Sequence, residues 1–219
     1  MGPEFLDTNI QGELFGLDGK VKVKHPSKGS RAEMERHWME IPADIRSQVG
    51  SGKLRLADTI IYAVKAVGSS KTIKLFETQD VKEVALSNIS NGKLPKNSTM
   101  LVSGIYLLQG KATAAVPGAP TEDEIKSIVF SSIKPVGAIS NGEFSFKANK
   151  VTIVPENTPT RLYVTDNNAN WPLGYYKLNN PRLIADDLQI EFTVELGTAL
   201  GIPQDTYLYV GLYGTITTP

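Results

Sequence analysis

Apolar and polar residues alternate in short runs through most of this 219-residue chain. A two-residue period is what a strand with one buried face requires, because successive side chains point to opposite sides. The clearest cases are Phe144 and Phe146 in Glu143–Lys147, Ile190, Phe192 and Val194 in Gln189–Leu196, and Leu208, Val210 and Leu212 in Thr206–Ile216. Further runs rich in β-branched and aromatic residues are Asp58–Val67, Thr72–Glu77, Thr99–Gln109, Ser127–Lys134, Val151–Val154 and Arg161–Thr165. Turn-forming residues separate them, at Gly68-Ser69-Ser70, Asn88–Lys96, Pro117–Thr121, Ser140-Asn141-Gly142, Pro155–Pro159, Asp166–Pro172 and Gly201–Asp205. Asn141-Gly142 reads as a two-residue hairpin turn.

Residues 1–53 have a different texture. Lys20-Val21-Lys22-Val23-Lys24 alternates like a half-exposed strand, and Lys20 to Arg31 holds five basic residues and no acidic one. Ser30 three residues before Glu33 is a capping-box spacing, which predicts a helix through Met39. Pro42 suits the first turn of a second short helix, Ala43–Val49, and Gly50-Ser51-Gly52 closes the section. Residues 1–53 are therefore expected to form an arm with one or two short helices, and 54–219 a β domain. Beyond residue 53 only Thr121–Ile125 suggests a further helical turn.

Eight or nine strands in about 165 residues, with no helical crossovers, exclude a parallel α/β sheet and predict an all-β jelly-roll sandwich or barrel. One barrel plus the arm fits the length, with a compact double barrel as the variant. Tyr207, Tyr209 and Tyr213 have the parity opposite to Leu208, Val210 and Leu212. The last strand is thus expected to be covered on both faces, by ordinary core packing or by a neighbouring subunit.

Charge changes the picture by subtraction. Lys+Arg and Asp+Glu are both 23, so the formal net charge is zero, against the basic excess of a dedicated nucleic-acid binder. There is no cysteine, which removes disulfides, thiolate metal sites and cysteine nucleophiles. No apolar run approaches the roughly 20 residues of a membrane helix, and Met1–Phe5 lacks the regions of a signal peptide, so an intracellular product is expected.

Candidate chemistry is sparse. The two histidines, His25 and His37, stand in no catalytic or metal-ligand motif, and no nucleotide-binding or hydrolase signature occurs. Asp186-Asp187 and Glu122-Asp123-Glu124 sit at element boundaries. Glu191 and Glu195 share a strand face at about 13 Å, too far apart to act on one glycosidic bond. Asp166-Asn167-Asn168-Ala169-Asn170 is oxygen-rich enough for calcium, but it lacks the spaced acids and terminal Glu of an EF-hand loop, and Asx turns suffice to explain it. These observations predict no enzyme activity, no cofactor and no metal.

Two surface features remain. Lys20, Lys22, Lys24, Lys28 and Arg31 could contact nucleic acid or an acidic neighbour, or simply keep an edge strand solvated. Trp171, Tyr175 and Tyr176, beside Asn179-Asn180, could form a sugar-stacking platform.

Three stretches carry a likeness of pattern. Asn179-Asn180-Pro181-Arg182-Leu183-Ile184, Leu188–Val194 and Thr206–Gly214 resemble the closing strands of the jelly-roll major capsid proteins of tailless icosahedral phages, particularly those of Bacteroidetes-type hosts. The passage from Ile41-Pro42 through Leu54–Tyr62 resembles their entry into the barrel. The resemblance implies a shell subunit that forms trimers or capsomers with copies of itself and other capsid proteins. It places the protein in the virion, assembled in the host cytoplasm, with packaged nucleic acid a candidate partner of the arm. A carbohydrate-binding sandwich module and a spike or fibre component are the alternatives.

Overall fold

The computed structural model describes residues 30–113, 119–148 and 150–219. Lys20, Lys22, Lys24, Lys28 and His25 lie outside the described residues. The elements in chain order are α1 (Ser30–Arg36), a 3-10 turn (Trp38–Glu40), α2 (Ala43–Gly50), β1 (Arg55–Ala66), β2 (Thr72–Lys74) and β3 (Thr99–Lys111). There follow α3 (Glu122–Lys126), α4 (Gly137–Ser140), β4 (Glu143–Ala148), β5 (Val151–Pro159) and a 3-10 turn (Thr160–Tyr163). The chain ends with β6 (Tyr175–Ala185), β7 (Ile190–Glu195) and β8 (Thr206–Thr218).

The strands form two four-stranded antiparallel sheets, one in the order β1-β8-β3-β6 and the other β2-β7-β4-β5. The chain is an all-β sandwich. The alternating runs supply its filling: Phe144 and Phe146, Ile190, Phe192 and Val194, and Leu208, Val210 and Leu212 all lie in one buried core between the sheets. Their partners between the runs are outward, as the pleat demands.

β3 keeps its apolar residues inside by a bulge. Met100 and Val102 face the core before Ser103, and Ile105 and Leu107 after it, so the parity shifts by one where the register breaks between Val102 and Gly104. The extra residue is Ser103. Opposite it, β6 carries four residues, Leu178 to Pro181, between the partners Lys177 and Arg182. Pro181 has no N–H to give a ladder, and β6 is an edge strand, where that is tolerated.

The open edge of β1 is closed by the chain itself. The Asn88 amide accepts from the Tyr62 N–H at 2.8 Å and donates to the Ile60 carbonyl at 2.7 Å, and the Val64 N–H donates to the Leu86 carbonyl at 2.8 Å. A side-chain amide thereby imitates a neighbouring strand and blunts an edge that would otherwise pair with another chain.

Several expectations shift. Ser127–Lys134 is not a strand: after α3 it makes a single bridge, Gln109 to Ser131, while Phe130 packs on Tyr209. Arg161–Thr165 is mostly a 3-10 turn that sends the Tyr163 ring wholly into the core. β2 stops at Lys74, because the chain then turns to let the Asp80 carboxylate accept from the Glu77 N–H. Asn141-Gly142 is no hairpin turn, since Asn141 caps α4 at a φ of −103°. The pair with positive φ at both residues is Asn91-Gly92. The first helix ends at Arg36 rather than Met39, and Pro42 stands just before α2 rather than inside it. β6 contains Asn179–Ile184, the stretch that resembles a closing strand, and starts earlier, at Tyr175.

Candidate functional site

The outer face of the sheet β1-β8-β3-β6 divides at the Ser103 bulge. On one side α1, the 3-10 turn and α2 lie over it, burying Met34, Trp38, Ile41 and Ile45 against Leu54 and Leu101, with Leu56 and Leu183 at the margin. On the other side no helix or strand covers it; only the 128–131 crossing, Trp171 and the backbone at Ala85 reach it, and aromatic residues line much of it.

Parity along the strands builds this second half. Tyr62 of β1, Tyr209 and Tyr213 of β8, Tyr106 of β3 and Tyr175 of β6 all alternate with core residues and therefore point outward. Their rings link across the sheet. Tyr209 stacks on Tyr62 at 5.7 Å between centroids and meets Phe130 at 5.4 Å. Tyr175 meets Tyr106 at 4.9 Å, Tyr213 edge-on at 6.2 Å, and Trp171 in a stack at 5.8 Å. The result is a strip of rings from β1 to β6.

Two glycines let the rings lie down on the backbone. A Cβ at Gly104 would collide with the Tyr175 ring and hydroxyl, and one at Gly211 would press on Ile60 and Tyr209. Without side chains there, the tyrosines flatten over the sheet. Between them runs an apolar groove of about 340 Å³ lined by Ile60, Tyr106, Leu108, Phe130 and Tyr209. Burial, with the neighbouring phenols Tyr62 and Tyr106, pushes the Tyr209 hydroxyl up to about 12. Burial also raises Tyr175 to about 12, helped by Tyr106, Tyr213 and Glu33. Both phenols are neutral donors at physiological pH.

At its β6 end the strip is held by a braced loop. The Thr165 hydroxyl donates to the Pro172 carbonyl at 2.8 Å and accepts from the Gly174 N–H at 2.9 Å, and the Asn170 N–H donates to the Asn168 side-chain oxygen at 3.0 Å. Trp171 stands at its tip, 40% exposed.

The sequence-level candidates are distributed as follows. Trp171 and Tyr175 come together, but Tyr176 points to the opposite face of β6, edge-on to Phe144 at 6.4 Å and Tyr163 at 5.9 Å. Arg31 lies in α1. His37 pairs through Nδ1 with Glu40 at 2.8 Å. Asp166 accepts from the Ser132 hydroxyl at 3.1 Å and lies 3.4 Å from the Lys134 ammonium; with a backbone hydrogen bond as the larger cause, its carboxyl is held below the ordinary value. Asp186 accepts from the Asn97 N–H at 2.6 Å. Glu122 pairs with Lys126, which also reaches Glu83. Glu191 and Glu195 face outward on β7, Glu191 opposite Lys147 in the ladder. Among the described residues no three His, Asp or Glu side chains converge as a metal site.

Sequence reasoning passed over Tyr62, Tyr106 and Phe130. The signal for the first two was parity, each being the lone aromatic of its strand and falling between two apolar residues. Phe130 had no such signal, because its place depends on a loop crossing the sheet.

The fold and this face define an antiparallel β-sandwich with an aromatic outer surface. No family model matches the chain, and no curated protein matches it. No helix among the described residues is long and apolar enough to cross a membrane.

Proposed function

We propose that the chain is a jelly-roll structural subunit of a virion shell, the major capsid protein of a tailless icosahedral phage, assembling with copies of itself into trimers or capsomers. The observation that carries the reading is the nesting of the ladders. β1 pairs with β8, β2 with β7, β3 with β6 and β4 with β5, and the β3–β8 and β4–β7 contacts complete the two sheets. A long antiparallel ribbon folded over itself into two sheets leaves that nesting, and jelly rolls, a recurrent shell architecture, are built this way. Zero net charge supports the reading further, since many copies pack side by side without mutual repulsion. In this reading Lys20, Lys22, Lys24, Lys28 and Arg31 would meet packaged nucleic acid or an acidic neighbour.

Light scattering across a concentration and salt series, with electron microscopy of the same samples, tests it. Trimers, capsomer-sized species or closed particles are expected. A protein that stays monomeric at the highest concentration would sink the proposal. A second reading, a sugar-binding module, draws on one observation, the Trp171–Tyr175 stack on its braced loop; it predicts a monomer or small oligomer that binds glycans.

A further inference from the structure

We propose that the aromatic strip on the outer face of the sheet β1-β8-β3-β6 is the surface by which one copy of this chain docks on a second copy. The inference rests on the shell-subunit reading and names the surface that reading leaves open.

Size comes first. Four strands at about 4.8 Å spacing, with about six residues along three of them and three along β6, cover roughly 330 Å² of sheet face, over which the rings lie. An interface of standard size needs about 800 Å² per partner, of which the centre is apolar and aromatic and the rim polar. The strip has the dimensions of such a centre. The segments that border it carry exposed apolar residues of their own: Val84, next in the chain to Ala85, whose N–H donates to the Tyr62 hydroxyl, Val129 next to Phe130, and Leu173 two residues after Trp171. A monomer that kept this face in water would carry a patch of the kind that marks an interaction site.

Charge selects the occupant. Tyr62, Tyr106, Tyr175, Tyr209 and Tyr213 carry no formal charge, and neither do the Ile60 and Leu108 side chains between them. A strongly basic or acidic partner would leave most of its charges unpaired on such a face, at a desolvation cost. The same face of a second copy carries one charged side chain, Lys177 at its β6 edge, and is otherwise uncharged and lined with phenol hydroxyls that both donate and accept, and the chains as wholes do not repel. The other half of this sheet face already has its apolar cover from α1 and α2, so the strip is where a second chain can still bury surface.

The test is sedimentation velocity on the full 219-residue chain, comparing the parent with Tyr209→Lys at the centre of the strip, Trp171→Lys at its exposed end, and Thr152→Lys on the other sheet as a charge-matched control. Association by the parent and by Thr152→Lys is expected, with the concentration for half-association raised about tenfold or more in both strip variants. Trp171 is the most exposed ring of the strip, and melting temperatures measured for each variant separate lost association from lost folding, so the result does not depend on Tyr209→Lys folding well. If the parent associates and Trp171→Lys associates equally, the strip is not the interface, while the shell reading stands. If the parent is monomeric throughout, the shell reading and this inference fall together. Binding of a soluble neutral β-glucan, lost in Trp171→Lys, would then give the strip to a glycan.

Discussion

The two halves of one sheet face were given different solutions to the same problem. Beyond the Ser103 bulge, Leu101 is fully buried under Trp38 and its neighbours, a second small core on the outside of the sandwich. Short of the bulge, Tyr106, Tyr175 and Tyr209 stay half-exposed. Aliphatic side chains have no polar tip and must be covered. Tyrosine can bury a ring against the sheet and keep its hydroxyl wet, so a face of tyrosines tolerates water until something else arrives. The covered half therefore contributes to folding, and the aromatic half is free to contribute to association.

That contrast can be broken in four ways, from the largest effect to the smallest. Trp38→Ala should remove about 3–5 kcal/mol from folding, the usual cost of deleting a buried large aromatic, read by urea unfolding. If it costs no more than a surface change, the helices are not part of the folded unit. Gly104→Ala should cost about 1–3 kcal/mol, because the new methyl displaces the Tyr175 ring. In a Tyr175→Ala background most of that cost should vanish, and an additive double-mutant cycle would disprove the close approach.

Alkali gives the third test. Tyr175 and Tyr209 are raised to about 12 from the ordinary phenol value near 10, mainly by burial. A raised folded value means that the neutral form is favoured by folding. The contribution is fully present below about pH 10 and is lost as pH rises to about 12. Lys65 acts in the same window: burial alone would lower its ammonium, but its hydrogen bonds to Asp80 and Glu77 outweigh that and raise it. Melting temperature should be level up to about pH 9 and fall above pH 10, and phenolate absorbance should rise in two stages. A single stage at the free-tyrosine value would mean the strip is fully solvated. The smallest effect belongs to Trp171→Ala, which should change folding stability by no more than about 0.5 kcal/mol while weakening self-association.

Much of the sandwich was legible. Phe144 and Phe146, or Ile190, Phe192 and Val194, announce an inward face because the two-residue period is written locally and the sheet reads it without interruption. β6 was not legible. Asn179-Asn180-Pro181 breaks the alternation, and only its place at the edge of the sheet, opposite a bulge in β3, makes the stretch a strand. The site was half visible: the parity of Tyr209 and Tyr213 set them apart from the core, and Tyr175 with Trp171 stood out as aromatics near a turn. Tyr176 was misgrouped with them although neighbours in a strand face opposite ways.

The amino-acid order by itself determined the strand-rich character, the inward faces of β4, β7 and β8, and the absence of cysteine chemistry, because each depends on nearest neighbours or on composition. Tertiary structure decided which strands pair, where Ser103 shifts the parity of β3, and which half of one sheet face the helices cover. Those outcomes depend on contacts between residues as distant as Asp58 and Thr215, joined by a hydrogen bond of 3.1 Å across 157 positions, and no local period can encode such a pairing.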